Sequence, residues 1–75
     1  MDHSLSAYLR RRDTDTLCDL LRASFRETPD FYVADRIRIL LEILEERKEE
    51  SLPLDAEELN HYKQLWQAMC NSLAQ

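Results

Sequence analysis

Between Thr28 and Glu50 the chain carries a helical pattern whose apolar side is too wide for a single neighbour. Val33, Ile37, Leu40, Leu41 and Leu44 recur at the three-and-four spacing that lines one side of an α-helix. Tyr32, Ile39 and Ile43 form a second stripe, displaced by roughly a quarter turn at about 3.6 residues per turn. Such a helix must sit centrally among its neighbours or lend one stripe to another chain.

The joints on either side narrow the choice further. The 75 residues include no glycine. Hairpins, phosphate-cradling loops and glycine helix caps all lean on that residue, so its absence favours helices joined by short turns containing Pro or Asp. Thr28-Pro29 predicts a helix start with Thr28 as N-cap, Pro29 at the first helical position and Asp30 next. Leu52-Pro53 predicts a break after Glu50, because the residue before proline avoids helical geometry. Asp55 then caps a last helix, with Glu58 in the capping-box position and Leu54 with Leu59 as a hydrophobic staple. Upstream, Asp13-Thr14-Asp15-Thr16 starts a plain amphipathic helix that places Leu17, Leu20, Leu21, Ser24 and Phe25 on one face. A short leading helix, about Ser4 to Arg11, is too brief to stand alone and must dock.

The expected fold is therefore all-α: a small bundle of three principal helices, about 14–26, 29–50 and 56–73, plus a short N-terminal helix, in a single domain over residues 1–75. The last helix is expected to bury Leu59, Tyr62, Leu65, Trp66, Met69, Cys70 and Leu73. Domains of this size bury only about 60% of their unfolded surface, and disulfides, a structural metal, tight helix packing or oligomerisation are the usual additions to their stability.

Charge and composition remove several classes of function. The net charge of −5 divides into +1 over residues 1–26, −7 over 27–58 and +1 over 59–75, where Lys63 is the one charged residue. Acid concentrated on the long helix opposes non-specific nucleic-acid binding, which positive charge drives. The Arg10-Arg11-Arg12 triplet suits a helix C-terminus. A helix-turn-helix built on the second and third segments would put an acidic face into the groove of DNA. No segment approaches the roughly 20 apolar residues that span a bilayer, and the start lacks a signal-peptide core. With only Cys18 and Cys70, a secreted disulfide framework is not expected, and a cytoplasmic location is.

Catalytic and metal-binding patterns are equally thin. His3 and His61 are far apart, no Cys or His pair has metal-ligand spacing, and both cysteines fall on or near apolar faces. There is no glycine loop for phosphate and no activated serine arrangement. No enzyme activity, cofactor, metal or small-molecule substrate is expected.

What remains is association with protein. Arg36 and Arg47 project between the two stripes of the long helix. Each either lays its stem along the core edge or serves as an interface arginine beside Tyr32. The second stripe either docks the short first helix or forms a dimer seam. The candidate interaction surface is therefore Tyr32, Arg36, Ile39, Ile43 and Arg47. The expected partner is another protein or a second copy of the chain. Two alternatives stand beside it: an acidic regulator whose glutamates mimic nucleic-acid charge against a basic protein, and, less favoured, a DNA-binding regulator using Arg10–Arg12.

Overall fold

Asp30, rather than Thr28, begins the long helix. In a computed structural model that describes residues 5–50 and 52–75, Asp30 is extended (φ −152°, ψ 180°) and its carboxylate accepts a hydrogen bond from the Val33 amide at 2.8 Å. An aspartate that satisfies an orphan amide makes a better cap than a threonine two residues earlier, and Pro29 stays outside the helix. Four helices follow in chain order: α1 Leu5–Arg10, α2 Thr14–Ser24, α3 Phe31–Glu46 and α4 Ala56–Leu73. The expected cap at Ser4 lies outside the described residues.

α3 also ends before the expected Glu50. The Arg47 amide still donates to the Ile43 and Leu44 carbonyls at 3.1 Å, but 47–50 continue only as turns. The last apolar residue is Leu44, and beyond it Glu45, Glu46, Glu49 and Glu50 crowd the helix end that the backbone dipole makes unfavourable for acids. α4 starts as expected at Asp55, whose carboxylate accepts from the Glu58 amide at 2.8 Å. The reciprocal half of the capping box is not made, because the Glu58 carboxylate instead accepts from Arg22 of α2 at 3.2 Å. No described residue has a positive φ.

α3 is the centre of the molecule, with α1, α2 and α4 each packed on it. Half of its sixteen residues are buried: Val33, Ala34, Ile37, Ile39, Leu40, Leu41, Ile43 and Leu44. All but Ala34 join Leu9 of α1, Leu17, Cys18 and Leu21 of α2, Leu54 just before α4 and Leu59 in its first turn in one core. The second stripe is consequently not a free seam. Ile39 is 7% exposed and Ile43 is 1% exposed within a single chain, in the same cluster as Leu9. Tyr32, at 87% exposed, does not share their surroundings.

α4 departs furthest from expectation. Of its eighteen residues only Leu59 is buried, while Tyr62, Trp66, Met69, Cys70 and Leu73 are half-buried and Leu65 is 40% exposed. α2 and the Phe25 that follows it reach α4 through the Arg22–Glu58 ion pair and the stacked rings of Phe25 and Tyr62, 5.3 Å apart. It ends at Ser24, so the last turns of α4 lie beyond it. The molecule measures 36 × 33 × 18 Å.

Candidate interaction surface

The two arginines of the long helix are intramolecular braces. Arg47 follows the end of α3 and donates to the carbonyls of Arg10 and Arg12, each at 3.0 Å, and to Thr14 Oγ1 at 3.2 Å. The Arg10 and Arg12 carbonyls lie at and just past the end of α1, where acceptors lack partners within the helix. One guanidinium therefore closes α1 and steadies the first turn of α2. Arg36 does the equivalent for the far end of α2: its Nε donates to Ser24 Oγ at 3.0 Å, and it pairs with the Glu27 carboxylate. Ser24, buried at 1% exposure, passes the bond on to the Leu20 carbonyl at 2.8 Å.

The five expected surface residues are thus not brought together. Ile39 and Ile43 are core, Arg36 and Arg47 bind opposite ends of α2, and Tyr32 stands alone on the surface. Ile39 and Ile43, enclosed by their own chain, have almost no area left to offer a partner, whereas Tyr32 is open to solvent.

A different surface runs along the seam of α3 and α4. The two helices are antiparallel: Lys63 reaches Glu45, the Trp66 indole N–H donates to the Ala34 carbonyl at 2.9 Å, and Cys70 lies by Phe31. On one side of this seam is an open groove of about 570 Å³, with Leu41 and Trp66 at its apolar part and Arg38, Glu42, Glu45, Glu46, Lys63 and Gln67 around it. It continues past Arg38 and Trp66 into a smaller hollow of about 190 Å³ between Phe31, Ala34 and Cys70. Phe31 is 70% exposed, an unusual position for so large an apolar side chain.

The charges beside this groove are already matched. Arg38 lies between Asp35 and Glu42, with bonds of 2.8 and 2.9 Å. Glu46 pairs with Arg10, which holds its carboxyl below the usual range. Glu45 accepts from Lys48 and Lys63, which together lower its pKa from 4.5 to about 2. The glutamates that would mimic phosphate are therefore largely engaged by the chain's own cations.

Elsewhere the chemistry is sparse. Burial pushes the Cys18 thiol up, away from the reactive thiolate. His61 is exposed and lies beside the Tyr62 ring; His3 is outside the described residues. Among the described residues no group of His, Cys, Asp and Glu is placed to hold a metal ion, and no helix is long and apolar enough to cross a membrane.

No protein-family model, curated protein or solved structure matches this chain.

Sequence reasoning missed the groove, although one signal was present. Residues 59–75 carry a single charged side chain, Lys63, in a chain that is 33% charged. Read as a sum this is a trivial +1; read as a distribution it marks a helix half from which charge is missing.

Proposed function

We propose that this is a small, acidic, non-enzymatic protein–protein interaction module that binds through the α3–α4 groove and the second half of α4. The observation that carries the reading is the unfinished packing of α4. Its Trp66 and Cys70 remain partly exposed beside the exposed Phe31, and Leu65 and Met69 are partly exposed elsewhere on the same segment, which is free of charged side chains. Charge depletion with Trp and Met enrichment is the composition of the centre of protein interfaces. A contiguous apolar surface of this kind marks an association site more often than a solvated face. The two free cysteines, Cys18 and Cys70, fit a reducing compartment such as the cytoplasm.

Affinity capture tests the reading. The immobilised chain is exposed to extract from its source organism together with a differently tagged copy of itself. It should retain a protein partner, and Phe31→Glu should reduce the retained amount at least about ten-fold, the loss expected when roughly 1.4 kcal/mol of binding is removed. Equal capture by wild type and Phe31→Glu would remove the groove from consideration.

A further inference from the structure

We propose that α1 is a strap that opens on its own while α2, α3 and α4 stay packed, that ionic ties to the end of α3 hold it shut, and that its release uncovers Ile43 and Ile39. The strap works whether or not the α3–α4 groove takes a partner, although Glu46 belongs to both.

α1 is attached differently from its neighbour in the chain. Of its six residues Leu9 alone is buried, whereas α2 buries Leu17, Cys18, Leu21 and Ser24. Leu5 and Tyr8 are exposed, and Tyr8 packs on Arg12 of its own segment, whose guanidinium lies 4.7 Å from the ring centroid. Six residues fall well short of the roughly 12–15 that an isolated helix needs, so α1 stays helical only while docked. Beyond Leu9, charge does the docking. Arg10 makes two hydrogen bonds to the Glu46 carboxylate, the longer at 3.0 Å, and Arg47 donates to the Arg10 carbonyl at 3.0 Å. Arg10 and Glu46 are about half exposed, so dissolved salt screens their attraction.

Helical register identifies what lies beneath. Ile39, Ile43 and Glu46 stand at i, i+4 and i+7, on one face of α3. Tying Arg10 to Glu46 therefore lays the neighbouring Leu9 along that face, and Leu9, Ile39 and Ile43 share the core cluster. Release turns a buried strip into surface. α2 does not need α1 in return, because its first turn is closed by its own residues. The Leu17 amide donates to the Asp13 carbonyl at 3.1 Å, and the Thr16 hydroxyl donates to the Asp13 carboxylate. Arg47 also holds Thr14 Oγ1 at 3.2 Å, a bond to α2 that survives release of α1. The pivot falls between the two helices, over residues 11–13.

Amide hydrogen exchange of the full chain, read by NMR, is the test. The Arg11 and Arg12 amides donate to the Tyr8 and Leu9 carbonyls at 3.2 and 3.0 Å, so release of α1 frees them. Relative to their intrinsic rates, they should exchange at least about 100-fold faster than the Leu21 and Leu40 amides and respond little to low urea. Raising NaCl from about 0.02 M to about 0.5 M should speed them about three-fold or more, and Glu46→Gln should abolish most of that gain. Ile43→Val should also speed them about three-fold, because Leu9 loses part of its seat. Ile37→Val, equally buried but on the other stripe, should leave them unchanged. Equal rates and equal urea dependence at Arg12 and Leu40 overturn the strap, since α1 then unfolds only with the whole chain. Any outcome in which Ile43→Val moves these amides no more than Ile37→Val overturns it too, because fraying of the 11–13 turn does not involve Ile43. Rates indifferent to salt overturn the ionic closure.

Discussion

Arg47 shows how much of this small fold hangs on single side chains. Its guanidinium spans two carbonyls and a hydroxyl across residues 10–14, a geometry that needs several N–H groups held in one plane. Hydrogen bonds from a charged donor contribute more than neutral ones, so Arg47→Ala should cost about 1–3 kcal/mol in urea unfolding. Amide protection in α1 should fall more than in α2. Arg47→Lys should recover little, because one ammonium cannot span acceptors set for a planar fork. Protection of α1 left intact in Arg47→Ala would show that Leu9 alone holds the helix. The sequence made Arg47 visible as an oddity, a cation at the edge of an apolar sector. It did not reveal the acceptors, because carbonyls at a helix end belong to every sequence alike.

At the scale of the helices, what could be read in advance was periodicity, and what could not was the neighbour. Leu17, Leu21, Ile37, Leu40 and Leu44 repeat at helical spacing and all are buried. Ile39 and Ile43 obey the same rule, but spacing states only that a face is apolar, not whether its own chain or another covers it. The face of α4 misled in the opposite sense: its stripe implied burial, while α2 is too short to cover the last turns. Caps were legible to within two residues, Asp55 correctly and Asp30 only after its φ of −152° is known. The start of α3 yields a clear comparison. Asp30→Ala should cost about 1 kcal/mol of stability by loss of the bond to the Val33 amide. Thr28→Ala should stay within about 0.5 kcal/mol, as for a surface position without such a role. Urea titrations of both variants decide it, and a larger loss from Thr28→Ala would move the helix start back to the proline.

For the whole molecule, acid should be the weak condition. Lys48 and Lys63 favour the charged form of Glu45 and bring its pKa down from 4.5 to about 2, and Arg10 lowers that of Glu46. A carboxylate whose pKa is lower folded than unfolded stabilises the fold in full above its unfolded value and loses that contribution as pH falls through the folded one. The urea midpoint should therefore decline from about pH 5 towards pH 2, with Glu45→Gln flattening part of the slope. Both carboxylates are substantially exposed, so added salt should shrink the effect. A midpoint unchanged down to pH 2 would mean that these pairs contribute nothing in solution. Since Lys63 belongs to α4 and Glu45 to α3, acid should loosen the very seam beside which the groove lies.

The absence of left-handed backbone among the described residues reaches beyond the folded state. Turns built without positive φ do not require glycine, and this chain has none. Each glycine would have enlarged the denatured ensemble, since glycine gives up about 0.5–1 kcal/mol more conformational freedom on ordering than alanine. Part of what keeps so small a molecule folded therefore lies in no contact between its helices. It lies in an unfolded chain that has fewer shapes to return to.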